Sequence, residues 1–155
     1  MLFLCLLLLS ACGSSYDYKV QVPAGWSVRD TIMQGTKVRL IGPGNAHVYG
    51  HPSANIIIQD MEGKELYAFT KSNMDYLASH MEGITLLDIG GMTIGGSIPS
   101  RWFTYNKVYN GATRQMINYI IPVRGHAYMI TCGTDAGYFA QYQPVFDSIA
   151  SSFRL

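Results

Sequence analysis

The sequence predicts an α+β sandwich: a central antiparallel sheet of six or seven strands with two main helices packed on it. Three observations carry this. Apolar residues alternate in several short runs, they recur at helical spacing in two stretches, and Gly- or Pro-containing turns separate the strand-like runs closely enough for antiparallel connections.

Near the start of the patterned sequence Tyr18, Val20 and Val22 alternate, and Pro23-Ala24-Gly25 turns the chain before Trp26. A strand is expected over residues 36–41, stopped by Gly42-Pro43-Gly44, with a loop onward to Ser53. Residues 54–59, centred on Ile56-Ile57-Ile58, form the next strand. Residues 64–81 read as the first helix, because Leu66, Phe69, Met74, Leu77, Ala78 and Met81 share one face at 3.6-residue periodicity. Glu62-Gly63 marks its start and Gly83 its end. Residues 84–89 form a short strand, followed by a glycine-rich run over residues 90–96.

Residues 101–109 and 113–123 flank Asn110-Gly111, the strongest short hairpin signal in the chain. A two-residue turn sets Lys107 opposite Arg114, which is mildly unfavourable. A three-residue loop instead pairs Phe103 with Tyr119 and Tyr105 with Ile117, and the charge argument favours this second register. Arg124-Gly125 then turns into a further strand over residues 126–131. The closing helix carries Phe139, Tyr142, Phe146, Ile149, Ala150 and Phe153 on one stripe, with Pro144 suited to the first turn of its main segment and residues 137–141 a separate turn.

Residues 1–11 have a different character. They are apolar, uncharged and too short for a spanning helix, which needs ~20 residues. They fit the apolar region of a secretory signal, although no Lys or Arg precedes it. Leu9-Ser10-Ala11-Cys12 resembles the lipobox of bacterial lipoproteins, with Cys12 the residue that is lipidated and becomes the new N-terminus. A plain signal peptide cleaved elsewhere is the alternative. The organisation expected is a signal peptide over 1–11, a lipidated Cys and short tether over 12–17, and one folded domain over 18–155. Five extended tether residues reach ~17 Å at most, so the domain is expected close to the headgroups of the membrane. Gly13 and Ser14 stand where inner-membrane lipoproteins often carry Asp, which points to the outer membrane, facing the periplasm, in a host with two membranes.

The net charge of +1 offers no basic surplus for nucleic acid. Cys5 leaves with the signal and Cys12 would carry lipid, so Cys132 remains without a disulfide partner. It falls in an apolar strand-like run and reads as a buried, inert thiol.

The landmarks in order are Tyr18-Lys19-Val20-Gln21-Val22-Pro23-Ala24-Gly25-Trp26, then Ala54-Asn55-Ile56-Ile57-Ile58, then Ile94-Gly95-Gly96 before a Trp/Tyr strand. Gly125-His126-Ala127-Tyr128-Met129-Ile130-Thr131-Cys132 follows, and Pro144-Val145-Phe146-Asp147-Ser148-Ile149-Ala150-Ser151-Ser152-Phe153 closes the chain. This pattern resembles the PsbP-like or Mog1/PsbP superfamily, including bacterial envelope lipoproteins of the DcrB type, over nearly the whole chain after Cys12. The resemblance implies a central antiparallel sheet with helices against its faces. It also implies an accessory or binding role without enzymatic activity, as in photosystem II assembly, nuclear transport or the bacterial envelope. It carries over no functional residues.

Candidate chemistry is sparse. His47 and His51 stand at i, i+4, but Gly50 and Pro52 oppose a helix there and no third ligand is near, so no metal site is assigned. His80 and His126 read as structural. The run 90–96 lacks the Lys-Ser/Thr of a phosphate loop, and Gly95-Gly96-Ser97-Ile98-Pro99 lacks the second Gly of a nucleophile elbow. No catalytic residues and no cofactor are assigned. Phe103, Tyr105 and Tyr119 are expected in the core. Among the aromatics of the outer hairpin, Trp102, Tyr105 or Tyr109 is the candidate for a partner-binding patch.

The reading is a non-catalytic, lipid-anchored envelope protein that binds a protein partner near the membrane. A small-ligand carrier, with a cavity lined by residues such as Met74, Leu77, Phe103 and Ile117, is the second reading. An enzyme would need His126 or His80, a carboxylate and Cys132 gathered in one pocket.

Overall fold

A computed structural model describes residues 18–29, 36–43 and 51–155. Seven strands form one sheet: β1 (Ser27–Arg29), β2 (Thr36–Ile41), β3 (Ser53–Asp60), β4 (Ile84–Ile94), β5 (Ile98–Tyr109), β6 (Ala112–Val123) and β7 (His126–Asp135). Helix α1 (Leu66–His80) follows β3, and α2 (Phe139–Ser151) closes the chain after a 3-10 turn over Ala136–Tyr138. Every strand pairing is antiparallel, in the order β1-β2-β3-β7-β6-β5-β4.

Alternation along the strands divides the interior into two cores, one on each face of the sheet. Ile117, Tyr119 and Ile121 of β6 and Tyr128, Ile130 and Cys132 of β7 pack with Phe139, Phe146, Ile149 and Phe153 on the α2 face. Ile120 of β6 and Ala127 and Met129 of β7 pack with Phe103, Tyr105, Phe69 and Met74 on the α1 face. Strands β6 and β7 are therefore apolar on both sides, which is why they read as near-continuous hydrophobic runs rather than as alternating ones.

Several sequence expectations need correction. Residues 18–22 add no strand to the sheet. They form a strap joined to the chain beyond α2 by one isolated bridge, with Lys19 N–H donating to Arg154 O at 2.8 Å and Arg154 N–H to Lys19 O at 3.0 Å. Tyr18 packs there, stacked on Phe153 at 6.1 Å and edge-on to Tyr128 at 5.6 Å.

Strand β4 does not stop at residue 89 but runs through the glycines to Ile94. Gly90 lies opposite Trp102, and a Cβ there would collide with the indole ring. The glycine marks a close approach inside a strand rather than the end of one. The turn follows at Gly95 and Gly96, whose φ values are 61° and 80°.

The hairpin register also differs. Tyr109 pairs with Ala112 and Lys107 with Arg114, so the loop has two residues. Asn110 and Gly111 have φ of 50° and 77°, the positive pair that a type I′ turn needs and that matches the strand twist. The like-charge objection fails because the Arg114 guanidinium reaches across the sheet instead. It donates to Gly133 O at 2.9 Å and lies 3.4 Å from Ser53 Oγ, near the start of β3.

Helix α2 begins at Phe139, so Pro144 sits inside it rather than in its first turn. The carbonyl that Pro144 leaves without an N–H partner is that of Ala140, an exposed residue whose oxygen water can satisfy.

Candidate interaction surface

The three aromatics of β5 singled out from sequence do not form one patch. Trp102 is half-buried on the α2 face, against Gly90. Tyr105 points to the opposite face, is 6% exposed, and packs in the α1 core with its ring 6.0 Å from that of Phe103. Burial pushes its phenol up to about 12, and the Arg114 charge offsets this in part. Tyr105 therefore takes no part in an exposed patch, because an odd separation along a strand puts it on the other face from Trp102.

Tyr109, by contrast, is 64% exposed at the end of β5. Two further exposed apolar residues that the sequence did not single out lie on the outer strands, Val108 on the face of β5 opposite Tyr109 and Leu87 level with Thr104 and Tyr105. Val108 is 48% exposed, and its N–H donates to Gly83 O at 2.9 Å. Leu87, also 48% exposed, is the extra residue of a bulge in edge strand β4, between the Leu86–Tyr105 and Asp88–Thr104 pairs. Apolar character alone could not separate these exposed positions from core ones, and the bulge left no mark in the sequence.

The interior holds a second cluster. Tyr119, fully buried on β6, donates from its hydroxyl to Asp147 Oδ1 of α2 at 2.6 Å. Burial and this hydrogen bond hold the phenol far above its ordinary range. Cys132 lies in the same core, and burial followed by the Asp147 charge raises its thiol well beyond the usual value. A thiol so held stays protonated and is a poor nucleophile.

The histidines do not gather around it. His126 begins β7, roughly 20 Å along the strand from Cys132 at ~3.3 Å per residue, and its Nδ1 lies 3.2 Å from Arg124 O. His80 is on α1, across the sheet from Cys132, with its ring stacked on Tyr76 at 4.4 Å. His51 Nδ1 lies 3.0 Å from Gly42 O, while His47 falls outside the described residues, as do Cys5 and Cys12. Among the described residues no three His, Cys, Asp or Glu side chains are grouped as a metal site would need.

Open clefts mark the surface. One, about 550 Å³, lies between the Gly95-Gly96 turn and the end of α2, beside Ser151 and Arg154. A second, about 440 Å³, lies between the end of β3 and α1, lined by Gln59, Asp60, Asn73 and Tyr76 among others. A third, about 270 Å³, lies between the strap and α2, at Pro23 and Val145. Met74, Leu77, Phe103 and Ile117 do not line one cavity, because Phe103 and Ile117 are buried on opposite faces of the sheet. No helix of the described residues is long and apolar enough to cross a membrane.

A seven-stranded antiparallel sheet with one helix on each face defines an α+β sandwich, and it matches solved structures of the Mog1/PsbP fold. The chain superposes on cyanobacterial PsbP (CyanoP) from Synechocystis sp. PCC 6803 with a TM-score of 0.66 at 16% identity, over 89% of this chain and 86% of that one. LpqN of Mycobacterium tuberculosis, described as involved in cell envelope biogenesis, gives a TM-score of 0.68 at 13% identity, over 88% and 81% of the two chains. The Ran-binding protein Mog1p of Saccharomyces cerevisiae gives 0.61 at 10% identity, over 88% and 89%. Likeness at these identities is likeness of fold. By sequence, the chain matches no protein-family model and no curated protein.

Proposed function

We propose that this chain is a lipid-anchored cell-envelope protein that holds a protein partner at the membrane rather than catalysing a reaction. The observation that carries the reading is a division of the molecule into two ends. The strap at Tyr18, through which a tether from Cys12 would enter, is fixed by Lys19 and Arg154 beside the Gly95-Gly96 turn, at the end of the sheet that also carries the Arg124-Gly125 turn. Tyr109, Val108 and Leu87 are exposed toward the other end of the sheet.

An apolar tip held away from an anchor suits the capture of a partner. Tyr109 is its centre. The lipobox at Leu9-Ser10-Ala11-Cys12 supports the anchor, and Gly13-Ser14 favours the outer membrane, facing the periplasm, where the host has two. The fold shared with LpqN, named for cell envelope biogenesis, and with Mog1p, named for binding Ran, supports a binding role in the envelope. The protonated state favoured for Cys132 and its distance from His126 argue against a thiol enzyme.

The test is photo-crosslinking in cells from a reactive residue placed at position 109, with position 67, an exposed tyrosine on α1, as control. An envelope protein crosslinked from 109 and not from 67 supports the reading. Equal labelling from both positions, or no adduct from 109, overturns it. Mass spectrometry of the N-terminal peptide tests the anchor separately, through acyl chains on Cys12.

A further inference from the structure

We infer that the strap end of the sheet is a membrane-facing surface that binds the anionic headgroups of phospholipids, with Lys19, Arg124 and Arg154 as its cations and the cleft beside Arg154 as the headgroup seat. This deepens the anchor reading, which supplies the membrane.

From Cys12 to the strap there are only residues 13–17, a reach of ~17 Å when fully extended. The strap cannot swing, because the reciprocal backbone bonds between Lys19 and Arg154 fix it, and Gln21 N–H donates to Ser152 Oγ at 2.7 Å. Whichever surface surrounds Tyr18 is therefore held within headgroup distance of the bilayer.

That surface has the charge an anionic bilayer selects. Lys19, Arg124 and Arg154 are exposed there. Arg124 stands on the β6–β7 turn, and Arg154 follows α2. A cleft of about 550 Å³ opens between Arg154 and the β4–β5 turn, lined by Arg154, Ser151, Ile98, Phe153, Leu155 and the backbone of Gly95 and Gly96. No Asp or Glu lines it.

The nearby acids are directed elsewhere. Asp147, one helical turn back, accepts the Tyr119 hydroxyl. Asp60 and Glu62, also at this end, line a separate cleft on the α1 side, and Glu62 is paired with Lys64 at 2.8 Å. Asp17, in the tether, is an opposing charge in the sequence. Lys19 and Arg154 meet at the strap bridge, and a phosphodiester is the group that an arginine and a hydroxyl in a shallow, water-open cleft would hold.

The test uses the chain from residue 12 onward carrying Cys12→Ser, so that no acyl chain contributes, and vesicles of phosphatidylcholine with and without phosphatidylglycerol. Sedimentation with the phosphatidylglycerol vesicles alone is expected, and is expected to fall steeply as salt shortens the Debye length from ~10 Å. The pair Lys19→Glu and Arg154→Glu should weaken partitioning roughly 10-fold or more, with the thermal midpoint unchanged. Lys107→Glu, at the far end of β5, should leave partitioning as it was. Equal binding to both vesicle types, no binding, or full binding by the double variant overturns the inference. So does loss of vesicle binding on adding millimolar inorganic phosphate at constant ionic strength, which would mark a site for the free ion. A lipidated Cys12 together with no vesicle binding would sink this inference alone, whereas an unmodified Cys12 would sink the anchor.

Discussion

The Tyr119 hydroxyl donates to Asp147 Oδ1 at 2.6 Å, the shortest polar link described between the sheet and α2. Its phenol sits in a core of aliphatic and aromatic side chains, so the bond does two jobs. It satisfies a buried hydroxyl, and it fixes where α2 lies along β6. Tyr119→Phe leaves the packing but removes the donor from a charged acceptor, and is expected to cost about 1.5–3 kcal/mol in urea unfolding at neutral pH. A change below ~0.5 kcal/mol would show that water replaces the bond at no net cost.

The same cluster sets an alkaline limit. Tyr119, Cys132 and Tyr105 all have folded-state values raised above their ordinary 10.0, 9.0 and 10.0. When these groups are exposed by unfolding they lose their protons first, so the unfolded state binds fewer protons. Their contribution is fully present below pH 9; it begins to fall above 9 for Cys132 and above 10 for the tyrosines, and keeps falling until pH passes each raised folded-state value. Each group adds up to ~1.4 kcal/mol of lost stability per pH unit beyond its unfolded value. Unfolding curves between pH 8 and 11 should show this decline, with a shallower slope in Tyr119→Phe.

Cys132 should be silent toward thiol reagents in the folded protein. It is fully buried and held protonated, so labelling is expected to proceed at the rate of opening and to accelerate with denaturant. Rapid labelling of the native protein at neutral pH would contradict the placement of this strand.

Gly90→Ala tests the close approach in β4. The new Cβ would meet the Trp102 indole, and the core must shift at a cost of about 1–3 kcal/mol. Adding Trp102→Leu to Gly90→Ala should recover part of that loss, since the smaller side chain frees the space. Trp102 fluorescence in the single variant should report the displaced ring.

At the hairpin tip, Gly111→Ala is expected to cost about 1–2 kcal/mol, because φ is 77° there and a Cβ penalises the left-handed region. Tyr109→Ala, one residue before the turn and 64% exposed, should change stability by less than about 0.5 kcal/mol. A large loss in the second variant would mean that Tyr109 supports the fold rather than a partner.

The sequence alone carried the element types, since periodicity is written locally. Helix α1 is visible in the spacing of Phe69, Met74 and Leu77, and β2 in the run that Gly42-Pro43 ends. The fold resemblance was also legible, because the order of strands, turns and closing aromatic helix is written in the residue pattern. What sequence could not decide was anything that depends on two distant segments meeting. The run Gly90-Gly91 reads as a turn until Trp102 is known to lie over it. Lys107 opposite Arg114 looks forbidding until Gly133 O is found within reach of the guanidinium. Tyr105 and Tyr109 look alike on paper, and only the packing of α1 over one of them separates buried from exposed. The local code fixes which residues are apolar and with what period. Which face is covered, and which residues are left exposed at each end of the sheet, is decided by the long-range antiparallel pairing that no single segment encodes.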